Sequence, residues 1–541
     1  MSLKANNLPP IDVPRRPPPI HHALRTAIAL LLLIPLTTLG QFGKNKVQHQ
    51  RLRWRIHHLP HVDAYYHDDQ GELPLITARW VEQAYDSLSR AFGFRHRDPI
   101  PLLVYASPIL FEQTNVMLQV IPEGVGGFTE MLKNRIVIPF DGSYREYRHV
   151  LHHELVHAFQ FGILFDRFGG SILKNTSIQL PLWFAEGSAE YLSNGWNTAA
   201  DMFMIDRAIY STVPLPGPGL SGLMAYKGGQ SFLHFLATSR GDTTFTRFLN
   251  HFRRTRNVET AIESAYGTPL EELGEEWHRE LKRLYWPEIG HRRAPEDIAT
   301  ALTDTDKSRT YYNLKPRISP DGTQIAFFTD AKDYTRIRVT DRDGEVQAEI
   351  RQRGYGGYFE SFQPFRSGMC WAPDSRRLAF VTKNQGRNEL RIVDVKSEKL
   401  RRKIAPSLRS IMAPDWSPDG THLTFLGLRG DQLDIYLYDL DTDSLHQLTD
   451  DIRSESAPRF SRDGKQIVFA AHDTSAALPP HGSPYPHPAS DLYILTIADT
   501  TVRRLTATPW NEDAPVFSPT GDRLAFIADR NGIDNIYIAP L

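Results

Sequence analysis

Residues 414–428 read PDWSPDGTHLTFLGL. A run suited to a strand meets a turn built from Ser, Pro, Asp and Gly, and a second strand-like run, LTF, leaves it. The Asp-Gly pair suits a tight turn because glycine accepts a positive φ without a Cβ clash. The theme recurs as PRISPDGTQIAFFTD (316–330), CWAPDSRRLAFVTKN (370–384), PRFSRDGKQIVFAAH (458–472) and PVFSPTGDRLAFIAD (515–529). Pro320, Pro373, Pro418, Arg462 and Pro519 mark its phase, with spacings of 44 to 57 residues. A repeat of that length suits one four-stranded blade, of ~40–50 residues, in a β-propeller. Five blades are expected. LHQLTDD (445–451) and VRRLTAT (502–508) read as outer strands of blades three and four. The last repeat stops without such a strand, and the similar IATALTDT (298–305) precedes the first, so this earlier strand is expected to complete blade five and hide both edges.

Upstream of Pro295 the period changes. ITARWVEQAYDSLSRAFG (76–93) has helical spacing, PIPLLVYAS (99–107) reads as a strand, and GGFTEMLKNRIVIPF (126–140) as a hairpin. Further helical patterns cover about 181–195, 225–239, 243–254 and 270–285. At 541 residues several domains are expected: an N-terminal segment over 1–40, an α+β domain over 41–293 and the propeller over 294–541. The segment TAIALLLLIPLTTLG (26–40) follows a basic, Pro-rich opening and has the length of a signal-peptide core, with Thr38 and Gly40 small enough for the −3 and −1 positions of a cleavage site. An uncleaved anchor is the alternative, and would be the only membrane contact. Either way the chain is expected to be exported, to a periplasmic or cell-envelope location. A net charge of −1 gives no reason to expect nucleic acid as a partner. The single cysteine, Cys370, excludes an intramolecular disulfide and a thiolate zinc cluster, so any metal site must use histidine, carboxylate and water.

The stretch RHVLHHELVHAFQFG (148–162) contains such residues at a telling spacing. His153 and His157 are four apart, so one helix face presents both imidazoles to one ion, and Glu154 falls where it can take a proton from a water there. A second helical stretch, LPLWFAEGSAEYLS (180–193), carries WxxEGxAE. The pair resembles the gluzincin zinc metallopeptidases with a peptidase MA-like domain. The resemblance covers most of 45–289 and implies a zincin-like α+β fold, Zn²⁺ held by His153, His157 and Glu186, and Glu154 as general base. Glu190, one turn after Glu186, would orient a ligand histidine. Tyr226, in LMAYKGGQSFLHFL (223–236), stands where similar peptidases often carry a tyrosine donor for the oxyanion; a core role is the alternative. The strand Arg135 to Ile138 would be the edge on which an extended peptide pairs. One departure from the aminopeptidase branch is the longer spacer, 28 residues between His157 and Glu186, which argues against that specificity.

The repeats resemble TolB-like and WD40-like propellers over about 240 residues, a likeness specific for fold and weak for function. The expected whole is therefore an exported zinc endopeptidase with a peptide or protein substrate and a propeller for partner binding or control of access. Rival readings are a silent, propeller-led scaffold, a zinc hydrolase of a non-peptide bond, and a merely packed or solvated histidine face. Within the site, His149 in place of Glu186, or Glu190 as the third ligand, are the alternatives.

Overall fold

Branched aliphatic residues crowd Ile100–Tyr105 and Arg135–Pro139, and in the computed structural model of the chain both runs are strands at the centre of a mixed sheet. The structure describes residues 46–541 except 68–69, 166–179, 242–243, 291, 294, 353–358 and 473–488. The apolar segment 26–40, the middle of the spacer between the two motif helices and most of the stretch 473–491, rich in proline, lie outside the described residues. Among the described residues no helix is long and apolar enough to cross a membrane.

The sheet contains β1 (Trp54–His58), β2 (Val62–His67), β3 (Ile100–Tyr105), β4 (Phe128–Glu130) and β5 (Arg135–Pro139), in the order β1-β2-β3-β5-β4. Its inner pairs, β2 with β3 and β3 with β5, are parallel, and β1 and β4 join antiparallel at the edges. This corrects the expectation for Arg135 to Ile138. Those residues form an interior strand with neighbours on both sides, and the free edge belongs to β4, the other arm of the hairpin.

Helix α1 (Leu73–Phe92) makes the crossover from β2 to β3, and α2 (Tyr144–Phe165) follows β5 with the first motif. The second motif lies on α3 (Leu182–Asn194). Besides a one-turn helix at Pro108–Phe111, the described residues of this half hold α4 (Thr198–Ile209), α5 (Leu223–Arg240), α6 (Thr244–Thr255), α7 (Val258–Tyr266) and α8 (Leu270–Ile289).

Five antiparallel sheets follow, covering 313–351, 361–404, 410–447, 454–504 and 512–540. Each SPDG-type turn is closed by its own side chains. In blade three Ser417 Oγ donates to Asp419 Oδ1 (2.6 Å), Thr421 N donates to the same oxygen (3.0 Å), and His422 N donates to Ser417 Oγ (2.9 Å). Gly420 takes φ 80° at the corner, and blade two holds Ser375 at φ 56° in the equivalent place.

The expected closing strand is absent. Residues 298–304 form no strand, because Asp304 Oδ1 accepts Lys307 N (3.0 Å) and starts a short helix over Thr305–Ser308 instead. Blade five has three strands among the described residues, and Ile536 and Ile538 on its last strand are 79% and 68% exposed.

The two halves share one apolar cluster, which runs from Val62 and Tyr144 to Leu433, Ile435 and Phe469 in blades three and four. At its rim Asp431 accepts from Glu72 N (2.7 Å) and Tyr144 Oη (3.1 Å), and Arg366 and Phe365 donate backbone N–H groups to Glu123 (2.7 and 3.1 Å). A shared core couples unfolding, so calorimetry is expected to show the α+β half and blades three and four melting in one transition. Asp431→Ala should lower its midpoint by the equivalent of about 1–3 kcal/mol, since two donors lose their acceptor. Two separate endotherms would refute the coupling.

Candidate metal centre

The spacing of α2 decides the first half of the site. Residues four apart share a face, and His153 and His157 bring their Nε2 atoms within 3.2 Å of each other. Glu186, on α3, brings Oε2 to 3.3 Å from both nitrogens. Three donor atoms thus form a near-equilateral triangle with edges of 3.2–3.3 Å. Ligands ~2.0–2.1 Å from a tetrahedral zinc lie roughly 3.3–3.4 Å apart, so two imidazole nitrogens and one carboxylate oxygen fit a zinc ion in kind and in spacing.

Glycine is what lets α3 come this close. A Cβ on Gly187 would lie 2.4 Å from the carbonyl carbon of Gly229 on α5, and one on Gly229 would lie 2.2 Å from the Trp183 carbonyl oxygen. The two backbones touch there, which explains the Gly that follows Glu186 and brings Tyr226 and Lys227 to the site.

Each histidine is held from behind. Glu190 Oε1 lies 3.3 Å from His153 Nδ1, and its other oxygen accepts from Lys227 Nζ (2.6 Å). His157 Nδ1 meets Gln160 Oε1 at 3.0 Å. The Gln160 amide nitrogen donates to the Ala185 carbonyl (3.1 Å) and to Ser188 Oγ (2.9 Å), so its oxygen is the end that faces the imidazole. His157 therefore carries its proton on Nδ1 and offers the Nε2 lone pair to an ion. Gln160 is fully buried and was missed from the sequence, although its position three residues after His157 was a legible signal.

His149 does not join the triangle. It lies 3.5 Å from Glu190 Oε1 and 3.1 Å from Ser193 Oγ, on the far side of His153. Glu190 is likewise occupied by Lys227, whose ammonium takes the place a second cation would need.

Electrostatics follow from this crowding. Burial pulls the His153 imidazolium down, but its contacts with Glu186 and Glu190 outweigh that and push it up to about 10. Burial raises Glu186, yet bonds to His153 and His157 hold it at about 2. Glu190 is also pushed up by burial and is held below the ordinary carboxylate range by His149 and His153. Carboxylates outnumber the cations in the pocket, so a positive charge is favoured there whether it comes as a proton or as a metal ion.

Glu154 sits beside the triangle, tied to the edge strand. Thr129 Oγ1 on β4 lies 2.8 Å from both the Glu154 backbone oxygen and its Oε2. Gly127 lets β4 cross α2 here, since a Cβ on it would lie 2.8 Å from Ile138 and 3.2 Å from Glu154 Cγ. Tyr226 stacks parallel on His153, ring centroids 6.2 Å apart. Its phenol is driven up by burial and by the negative charges of Glu186 and Glu154, so it stays protonated and able to donate.

His153, Glu154, His157, Glu186 and Tyr226 line one cavity of about 800 Å³ with an apolar wall that includes Phe128, Met131, Phe161 and Leu182. Among the described residues its lining runs from Gly127 to Val258, so the propeller contributes nothing to it.

Residues 359–476, blades two and three with part of blade four, match the family model of the TolB beta propeller domain. The C-terminal blades are a TolB-like β-propeller. Over 129 residues the chain is 31% identical to the Tol-Pal system protein TolB of Francisella tularensis subsp. holarctica, a match covering 24% of this chain and 27% of that one. It is 27% identical over 113 residues to an uncharacterized protein of Agrobacterium fabrum, covering 21% and 34%. The chain thus spans about a third or less of the length of these curated relatives. Among solved structures, TolB from Acinetobacter baumannii aligns at 20% identity and a TM-score of 0.34, over 50% of this chain and 68% of that one. A putative TolB from Agrobacterium tumefaciens aligns at 18% identity and 0.34, over 42% and 77%.

Gln160→Leu removes the acceptor behind His157 while keeping its volume. Zinc affinity in a competitive chelator titration is expected to fall about 10–100-fold with the fold retained. Gly187→Ala forces α3 and α5 apart and should cost about 1–3 kcal/mol in denaturant unfolding, with weaker zinc binding besides. Unchanged zinc affinity in both variants would sink this account of the site.

Proposed function

We propose that the chain is a zinc-dependent metallopeptidase of the gluzincin type, exported from the cytoplasm, which cleaves an extended peptide or protein segment. The observation that carries this reading is the donor triangle of His153, His157 and Glu186, with Glu154 one residue away and a free strand edge alongside. Zinc bound there would supply Lewis acidity and lower the pKa of a water toward ~7.

The chain's own residues do the rest. Glu154 takes the proton from the attacking water and passes it to the leaving amine, steps worth typically ~10²–10⁴-fold. Tyr226, protonated beside Glu186, donates to the oxygen on which negative charge develops. Glu190 and Gln160 hold the two imidazoles in register. The free edge of β4, carrying Phe128 and Thr129 into the cavity, gives an extended substrate backbone groups to pair with, which favours a peptide over a non-peptide ester or amide. The propeller, resembling that of the Tol-Pal system protein TolB, takes the role of binding a protein partner and not of gating the cavity.

Metal content and casein proteolysis, measured on wild type beside Glu154→Gln and His157→Ala, test the reading. Wild type is expected to carry one zinc and cleave. Glu154→Gln should keep the zinc with activity down at least a hundredfold, and His157→Ala should lose both. Zinc without cleavage of any peptide in the wild type would favour the scaffold reading, and cleavage that survives in Glu154→Gln would remove Glu154 as the base.

A further inference from the structure

A second cleft, unrelated to the metal centre, lies where the N-terminal half meets blades two and three. It has a volume of about 690 Å³ and is lined by arginines from four separate stretches of chain: Arg51 and Arg53, Arg387, Arg409, and Arg429. Its lining contains no Asp or Glu among the described residues. Arg51, Arg53, Arg387 and Arg429 form no ion pair with a carboxylate of the described residues; Arg429 meets only neutral groups, Gln447 Oε1 at 3.4 Å and the Tyr436 ring. Asp431, next in sequence to this wall, faces away, its carboxylate spent on Glu72 N and Tyr144 Oη.

Solitary surface arginines are ordinary. Four without a carboxylate partner around one concavity, with no acidic group among its described lining residues, give it a positive potential. Such a cleft is stabilised by an anion. Planar guanidinium forks match tetrahedral oxyanions in bidentate fashion, and several forks around one site favour a ligand with more than a single charge. Ser107 and Ser407 add hydroxyls to the lining, and Leu52, Leu110 and Leu408 give it an apolar floor.

We propose that this cleft binds a phosphate-bearing anion. Two sources share the chemistry, a soluble oligophosphate and the headgroup of an anionic lipid. Arg51 and Arg53 stand eleven and thirteen residues after Gly40, the end of the apolar N-terminal segment, which gives the lipid source a short path.

The test is calorimetric titration of the full chain, in a mild nonionic detergent, with inorganic tripolyphosphate and separately with dihexanoyl phosphatidylglycerol. Dihexanoyl phosphatidylcholine and citrate serve as controls. Wild type is expected to bind at least one phosphate probe with an affinity that falls steeply with salt, and the charge-reversed pair R53E/R387E should weaken it tenfold or more. A second pair, R51E/R429E, should do the same, while R376E, on the surface outside the cleft, should not. Tripolyphosphate binding alone assigns a soluble ligand, and phosphatidylglycerol binding alone assigns a headgroup. Equal binding of phosphatidylcholine or citrate, equal binding by both charge-reversed pairs, or no binding of either phosphate probe would overturn the proposal. Unchanged melting of the variants separates lost binding from lost fold.

Discussion

Everything at the candidate metal centre depends on two helices being allowed to touch. Gly187 and Gly229 bring the backbones of α3 and α5 to a separation no side chain could occupy. That contact sets three things together: Glu186 reaches the histidine pair, Lys227 reaches Glu190, and Tyr226 lies flat on His153. A methyl group at either glycine would move them all, because they are borne on the two helices that meet there. Placing a site on rigid elements in this way fixes its geometry through packing, which is steeper than the bonds within the site.

Charge balance follows from that geometry. Glu154, Glu186 and Glu190 crowd two imidazoles, and Lys227 pairs with Glu190. Glu190 is thereby kept for His153 Nδ1, and Glu186 alone is left to face the two Nε2 atoms. A proton on His153 satisfies this field only partly, since the other imidazole nitrogen still points at it from 3.2 Å. On the zinc reading, a dication between the three donor atoms would meet all of them at once.

What could be read from the sequence was what is local. The four-residue spacing of His153 and His157 fixes their common face, and the SPDG turns encode their own closure through Ser417 and Asp419. The helices bearing both motifs were legible for the same reason. The misreadings are nonlocal. Both arms of the 126–140 hairpin carry residues suited to strands, and only the parallel pairing of β3 with β5 makes Arg135–Pro139 interior and Phe128–Glu130 the edge. The segment 298–305 resembles an outer strand, yet Asp304 supplies a helix cap that competes with pairing across the ring. Gln160 was overlooked because one buried amide leaves no periodic trace, although its place one turn after His157 gives it the role.

The edge strand joins the last two parts of the argument. Thr129 belongs to β4, whose free side lines the cavity, and its hydroxyl reaches Glu154 on α2. A hydroxyl has one proton, so donation to Oε2 competes with donation to the backbone oxygen at the same 2.8 Å. On the peptidase reading, a chain paired along β4 lies against the strand that holds the base, so substrate register and base position are set by one element. The propeller needs no part in that arrangement. Its contribution runs through the shared core at Leu433 and Tyr144, which anchors the start of α2, the helix on which both histidines are carried.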